Sequence, residues 1–188
     1  MRRTALWTVL AVSILTGAAG ALGVAGAVGA GEVAAVSGPW PTPAPAAAIA
    51  DRLVVVKSQR RLDLQSQGRV LKSYRVALGF DPVGHKISQG DGRTPEGVYV
   101  LDGRNAESRF HLSLRVSYPS ADDVDRAKAL GVAPGGDIMI HGIGGETRHL
   151  AAHRRGRDWT LGCIAVTDAE MEEIWALAGE GTAIEIRP

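Results

Sequence analysis

The chain has 188 residues, 45% of them hydrophobic, a single cysteine and a formal net charge of +1. So balanced a charge gives no electrostatic case for nucleic acid or an acidic membrane surface as partner. One cysteine cannot form an intramolecular disulfide, so a hydrophobic core must carry the fold.

At the N-terminus, Arg2 and Arg3 precede an uncharged run from Thr4 to Gly31, rich in Ala, Gly, Val and Leu. Small-residue patterns at Ala25-Gly26-Ala27 and Val28-Gly29-Ala30 complete the anatomy of a secretory signal peptide. The run also exceeds the roughly 20 residues that span a bilayer, which makes a retained anchor the rival reading. Its glycine content and small-residue ending favour cleavage. No cysteine lies near the cleavage region, which excludes a lipid-anchored lipoprotein. Residues 1–31 are thus expected to be a signal peptide or membrane anchor, with the protein exported to the periplasm or cell envelope. Losing the two arginines would turn the charge of +1 into −1. Residues 32–50 set Pro39, Pro41, Pro43 and Pro45 among alanines, the composition of an extended linker. Residues 51–188 have the size of one domain, expected to be monomeric.

That domain opens with β signals. Leu53 to Val56 is a β-branched run, Leu62 to Leu64 alternates, and Ser66-Gln67-Gly68 is a turn leading into an alternating strand, Val70 to Ala77. Gly79 to Gly84 and Gly90 to Pro95 are loops by composition. Gly97 to Leu101, Phe110 to Val116 and Ile138 to Ile140 are further strands. A short helix is expected over Ser120 to Leu130, capped by Ser120 with Asp123 at its third position. After the cysteine come a short strand, Ile164 to Val166, and the capping box Thr167-Asp168-Ala169-Glu170. The helix this opens sets Met171, Ile174, Trp175 and Ala178 on one face, with Gly179 as its end. Ala183 to Ile186 is the last strand. The fold class is mostly β with short helices (α+β).

In an exported protein, the solitary Cys163 is an inert buried thiol, an intermolecular bridge or a reactive group. It follows Gly162, where another backbone or a substrate can approach closely. His141-Gly142 lies 22 positions upstream of it at the end of an apolar strand. A thiol needs help to be a nucleophile at neutral pH, and an imidazole is the usual help. The N–H groups of Gly162 and Cys163 could then hold an oxyanion. Composition alone equally allows a buried core cysteine and a structural histidine. His149 and His153, four apart, would share a helix face and could bind a metal. A thiolate is unusual in a catalytic zinc site and no HExxH motif is present, so no metal and no cofactor are expected.

His141, then 18 residues beginning with Gly142, then Thr160-Leu161-Gly162-Cys163-Ile164 resembles the signature of the L,D-transpeptidase catalytic domain (YkuD) family. The resemblance covers most of Leu53 to Arg187. Pro82-Val83-Gly84-His85-Lys86, Gly90-Asp91-Gly92-Arg93-Thr94-Pro95-Glu96-Gly97 and Trp159 to Thr167 point to its YafK-type branch. Leu161 and Ala165 depart from many relatives, which carry His and Arg or Asn there. The resemblance implies a YkuD-type β-sandwich or barrel and a cysteine acyltransferase acting on peptidoglycan stem peptides. Cys163 would be the nucleophile and His141 would manage the proton. Gly142 would orient His141 through its carbonyl, and Gly162 would line the oxyanion hole. Amidase or carboxypeptidase action on stem peptides, or on a wall-anchored lipoprotein, is the alternative. An inactive wall-binding module is the second. Arg93, Arg148 and Arg155 are candidate partners for stem-peptide carboxylates. Trp159 and Thr160 are candidate walls of the substrate site.

Overall fold

The computed structural model describes residues 49–145 and 156–188. The leader, most of the linker, Arg148, His149, His153 and Arg155 lie outside the described residues. Eight strands make one sheet: β1 (Arg52–Val56), β2 (Arg61–Ser66), β3 (Arg69–Arg75), β4 (Gly97–Ser108), β5 (His111–Val116), β6 (Met139–His141), β7 (Ile164–Ala165) and β8 (Ala183–Arg187). Their order across the sheet is β3-β2-β1-β8-β4-β5-β6-β7. Two short helices, α1 (Ala121–Ala129) and α2 (Asp168–Leu177), complete the mostly β architecture. Among the described residues, no helix is long and apolar enough to cross a membrane.

The sheet curls until its two edges meet. Beyond β3, Ala77 bridges Ala165 of β7, with N–H to O distances of 2.9 and 2.8 Å in the two directions. This closure joins the first hairpin to the strand that follows Cys163. It is also why the strand expected over Val70 to Ala77 stops at Arg75 and resumes as a bridge. The β2–β3 hairpin turns at Gln67 and Gly68, both with positive φ, as a two-residue turn with right-handed strand twist requires. Leu53, Leu62, Leu64, Leu101, Leu114, Ile140, Ile164 and Ile184 fill the interior from alternate strand positions. Met171, Ile174 and Ala178 of α2 close that core.

Both helices carry reciprocal capping boxes, Ser120 with Asp123 and Thr167 with Glu170. The end of α2 differs from the sequence expectation. Ala178 leaves the helix in extended conformation, and the Gly179 N–H donates to Thr182 Oγ1 instead of closing a left-handed cap. The strand expected over Gly97 to Leu101 runs on to Ser108, and Phe110 belongs to the turn before β5, not to the strand. That extension brings the β4–β5 turn, Arg109 and Phe110, to the wall of a large cavity.

Buried lysines organise the loops before β4. Lys57 Nζ donates to Gly84 O (2.6 Å), Thr94 O (2.9 Å) and Glu96 Oε1 (2.8 Å). Lys86 Nζ donates to Ser88 O (3.0 Å) and Asp91 Oδ1 (2.8 Å). Asp91 also accepts from the N–H groups of Ile87, Ser88 and Arg93. Burial by itself raises its pKa, but Lys86 and these amides outweigh that and hold it at about 2.

Candidate active site

β6 and β7 pair in parallel, with Ile140 opposite Ile164 and His141 opposite Ala165. Ile140 and Ile164 face the core. Strand alternation therefore sends His141 and Cys163 to the other face, two register positions apart with the Ile140–Ile164 pair between them. Both line one cavity of about 970 Å³, with Lys86, Arg109, Phe110, Ser113, Asp137 and Trp159.

His141 is only 3% exposed. Its Nδ1 lies 2.6 Å from Gly142 O, and a carbonyl acceptor at that distance requires the proton on Nδ1. The Nε2 lone pair is therefore free to take a proton. Phe110 stacks on the imidazole with ring centroids 4.5 Å apart, and Trp159 meets it edge-on at 5.9 Å. Burial lowers the His141 pKa against the hydrogen bond to the Gly142 carbonyl, and the Arg109 charge lowers it further. Burial likewise raises the Cys163 thiol. The Met139 N–H and Lys86 oppose that rise, while Asp137 adds to it. Both shifts favour a neutral thiol beside a neutral imidazole over a preformed ion pair. Cys163 Sγ donates to Asp137 O at 3.4 Å, and Asp137 itself sits in the left-handed region (φ 54°).

Gly162 and Thr160 build the turn that presents the thiol. Gly162 has φ 130°, and a Cβ there would meet Arg93 O at 2.7 Å. Thr160 Oγ1 donates to Cys163 O (2.7 Å) and accepts from the Gly162 N–H (3.1 Å). Thr160, expected as a wall of the substrate site, lines the cavity while its hydroxyl is engaged within the turn. The Gly162 N–H expected at an oxyanion is engaged with it. Arg93, also expected at the substrate, pairs with Asp81 (3.4 Å) and does not line the cavity. What Arg93 contributes near Cys163 is its backbone carbonyl against Gly162. Trp159 does line the cavity, and a second, smaller one of about 230 Å³ as well. Among the described residues, no group of three His, Cys, Asp or Glu could hold a metal ion.

Sequence reasoning passed over several residues that the fold brings to this place. Phe110 was hidden in a strand expectation, and Asp168 in a capping box. Asp168 Oδ1 accepts the N–H groups of Ile143 (2.7 Å) and Gly144 (3.0 Å), in the segment that follows His141. Only the charge of Arg109 marked it in the sequence, and Asp137 carried no signal beyond its place at a strand start.

The profile of the L,D-transpeptidase catalytic domain (YkuD) matches residues 50–186. The chain belongs to the YkuD family. The YafK proteins of Escherichia coli K12 and Escherichia coli O157:H7, named as candidate L,D-transpeptidases, are each 29% identical over 127 residues. Each match covers 64% of this chain and 44% of the relative, so the chain spans less than half the length of these curated proteins. The helical cell shape determining protein Pgp2 of Campylobacter jejuni has the same fold, with a TM-score of 0.56 at 21% identity. That match covers 72% of this chain and 46% of the Pgp2 chain. In this YkuD domain, His141 and Cys163 both lie on the wall of the large cavity.

Proposed function

We propose that this chain is an exported cysteine acyltransferase that works on peptidoglycan stem peptides through a thioester on Cys163. One observation carries the reading. The Gly142 carbonyl pins the proton on His141 Nδ1 and leaves Nε2 unprotonated on the sheet face shared with Cys163. The Sγ proton passes to Nε2 as Sγ bonds to the carbonyl carbon of the donor peptide. With the Gly162 N–H engaged, the Cys163 N–H is the backbone donor for the developing oxyanion. Collapse breaks the C–N bond, and the leaving amine takes the proton from Nε2. An acceptor amine then attacks the thioester and gives its proton to Nε2, and Sγ leaves as it takes that proton back, restoring the thiol and the neutral imidazole.

Stem peptides carry carboxylates, and the cavity offers them a guanidinium. Arg109 lies over the Phe110 ring at 4.8 Å and makes no ion pair among the described residues. Arg148 and Arg155 are further partners for the same groups.

The experiment is incubation of the protein with purified muropeptides and with lipoprotein-linked sacculi, the products read by mass spectrometry. Direct cross-links between stem peptides, absent with Cys163→Ala, are the expected result. Release of a terminal residue or of lipoprotein with addition of water, and no cross-links, would make the enzyme a hydrolase. Full activity in Cys163→Ala would remove the thiol from the reaction.

A further inference from the structure

The peptide group between Gly142 and Ile143 has hydrogen bonds at both ends. Its oxygen faces His141 Nδ1 at 2.6 Å, and its N–H donates to Asp168 Oδ1 at 2.7 Å. The contact is close-packed, because a Cβ on Gly142 would lie 2.6 Å from Asp168 Oδ1 and 2.8 Å from Phe110 O. The same oxygen of Asp168 accepts from the Gly144 N–H at 3.0 Å, so the turn after His141 is wound on one carboxylate.

We infer that Asp168 is a positioning residue for His141, acting through this single peptide group as a carboxylate would act by touching the imidazole. Hydrogen bonds in series polarise one another. A carboxylate drawing on the Ile143 N–H makes the Gly142 oxygen more negative and strengthens its hold on Nδ1–H. The effect is largest when the imidazole is charged, which is the state formed after His141 accepts the thiol proton. The carboxylate also fixes the Gly142 oxygen in position, and with it the tautomer that leaves Nε2 free. The reciprocal helix cap is made by Thr167 and Glu170 without Asp168.

Other charges bear on the imidazole too. Arg109, from the β4–β5 turn, is the one that lowers the His141 pKa; the His111–Glu172 pair stands on β5 and α2, and Arg75 and Glu170 line the small cavity. Asp137 and Lys86 act across the large cavity from beside Cys163. Asp168 holds the Gly142–Ile143 peptide group directly, so its substitution changes the charge at that group.

The inference rests on the proposed role of His141, and its test does not use turnover alone. The full chain and its Asp168→Asn and Asp168→Glu variants would be titrated by NMR on the His141 ring, with melting temperature and the pH dependence of kcat and KM measured alongside. The asparagine oxygen can accept both N–H bonds, so the fold is expected to hold while the charge is lost. The His141 pKa should fall by about half a unit to one unit, the low end of the effect of a neighbouring charge. In that variant kcat should drop with KM unchanged, and glutamate should restore part of both the pKa and kcat. A His141 pKa equal in all three proteins overturns the relay. So does a loss in Asp168→Asn that tracks the melting temperature and is not relieved by glutamate. If Cys163→Ala kept activity while the pKa moved as expected, the functional reading would fail and the relay would stand.

Discussion

At the scale of residues, the pair at the centre is neutral at rest. Burial disfavours both the thiolate and the imidazolium, and the two groups reach charge only together, when the proton crosses from sulfur to Nε2. Thiols activated as ion pairs titrate at roughly 3.5–7.5. Alkylation of Cys163 by iodoacetamide is therefore expected to rise only above the ordinary thiol range, with no inflection on the acid side. An inflection below neutrality would show a preformed ion pair. Phe110 is the residue that dries the imidazole. In Phe110→Ala, water reaches His141, its pKa rises towards the ordinary value, and the acidic limb of the rate profile moves to higher pH. A profile that did not move would assign the desolvation elsewhere. Gly162→Ala combines a left-handed φ with a clash against the Arg93 carbonyl. That strain is worth about 1–3 kcal/mol and would displace the nucleophile, so activity should fall further than stability.

At the scale of elements, Lys57 ties the end of β1 to the loop that leads into β4. Lys57→Met takes away the cation paired with Glu96 and the donor to two carbonyls, at a cost of about 3 kcal/mol, measurable as a lower urea midpoint. An unchanged midpoint would mean that the loop is held by Lys86 and Asp91 alone. How far the elements were legible follows from what announces each one. Strand alternation and the two capping boxes are local signals, and they placed most strands and both helix starts. The extension of β4 to Ser108 was invisible because its second half faces solvent and has no alternation to betray it. Cys163 and His141 stood out by type and motif. Their partners did not: Phe110 lies far from both in sequence, and Asp137, near His141, meets Cys163 while Asp168, near Cys163, meets the segment after His141 only when the fold brings them together. Thr160 and Arg93 were legible as neighbours of the site, but not in the direction their side chains take. Such directions depend on turns that the sequence does not number.

At the scale of the whole molecule, the curled sheet makes the site depend on the fold from end to end. Ala77, beyond the third strand, holds Ala165 just past the nucleophile, so loosening the first hairpin disturbs Cys163. Acid should act through groups of opposite kind, of which Asp91 and His141 are the two nearest the site. Asp91 has its pKa depressed from 3.8 to about 2, which contributes roughly 2 kcal/mol of stability above pH 4 and is lost as pH falls through 2. His141 has a folded pKa below its ordinary 6.5, so the unfolded chain binds its proton first. Its contribution is present above pH 6.5 and disappears as pH falls through the lower folded value. Urea midpoints at pH 7, 5 and 3 should therefore decline in two stages, and a flat series would contradict both assignments.

The account turns on a covalent bond between Cys163 and a stem peptide. The most direct measurement is intact-protein mass spectrometry after rapid quenching with a muropeptide donor. The expected result is an adduct with the mass of the donor less its leaving residue, located on Cys163, slowed in His141→Ala and absent in Cys163→Ala. Product formation without any Cys163 adduct, or an adduct that forms equally fast in His141→Ala, would contradict it.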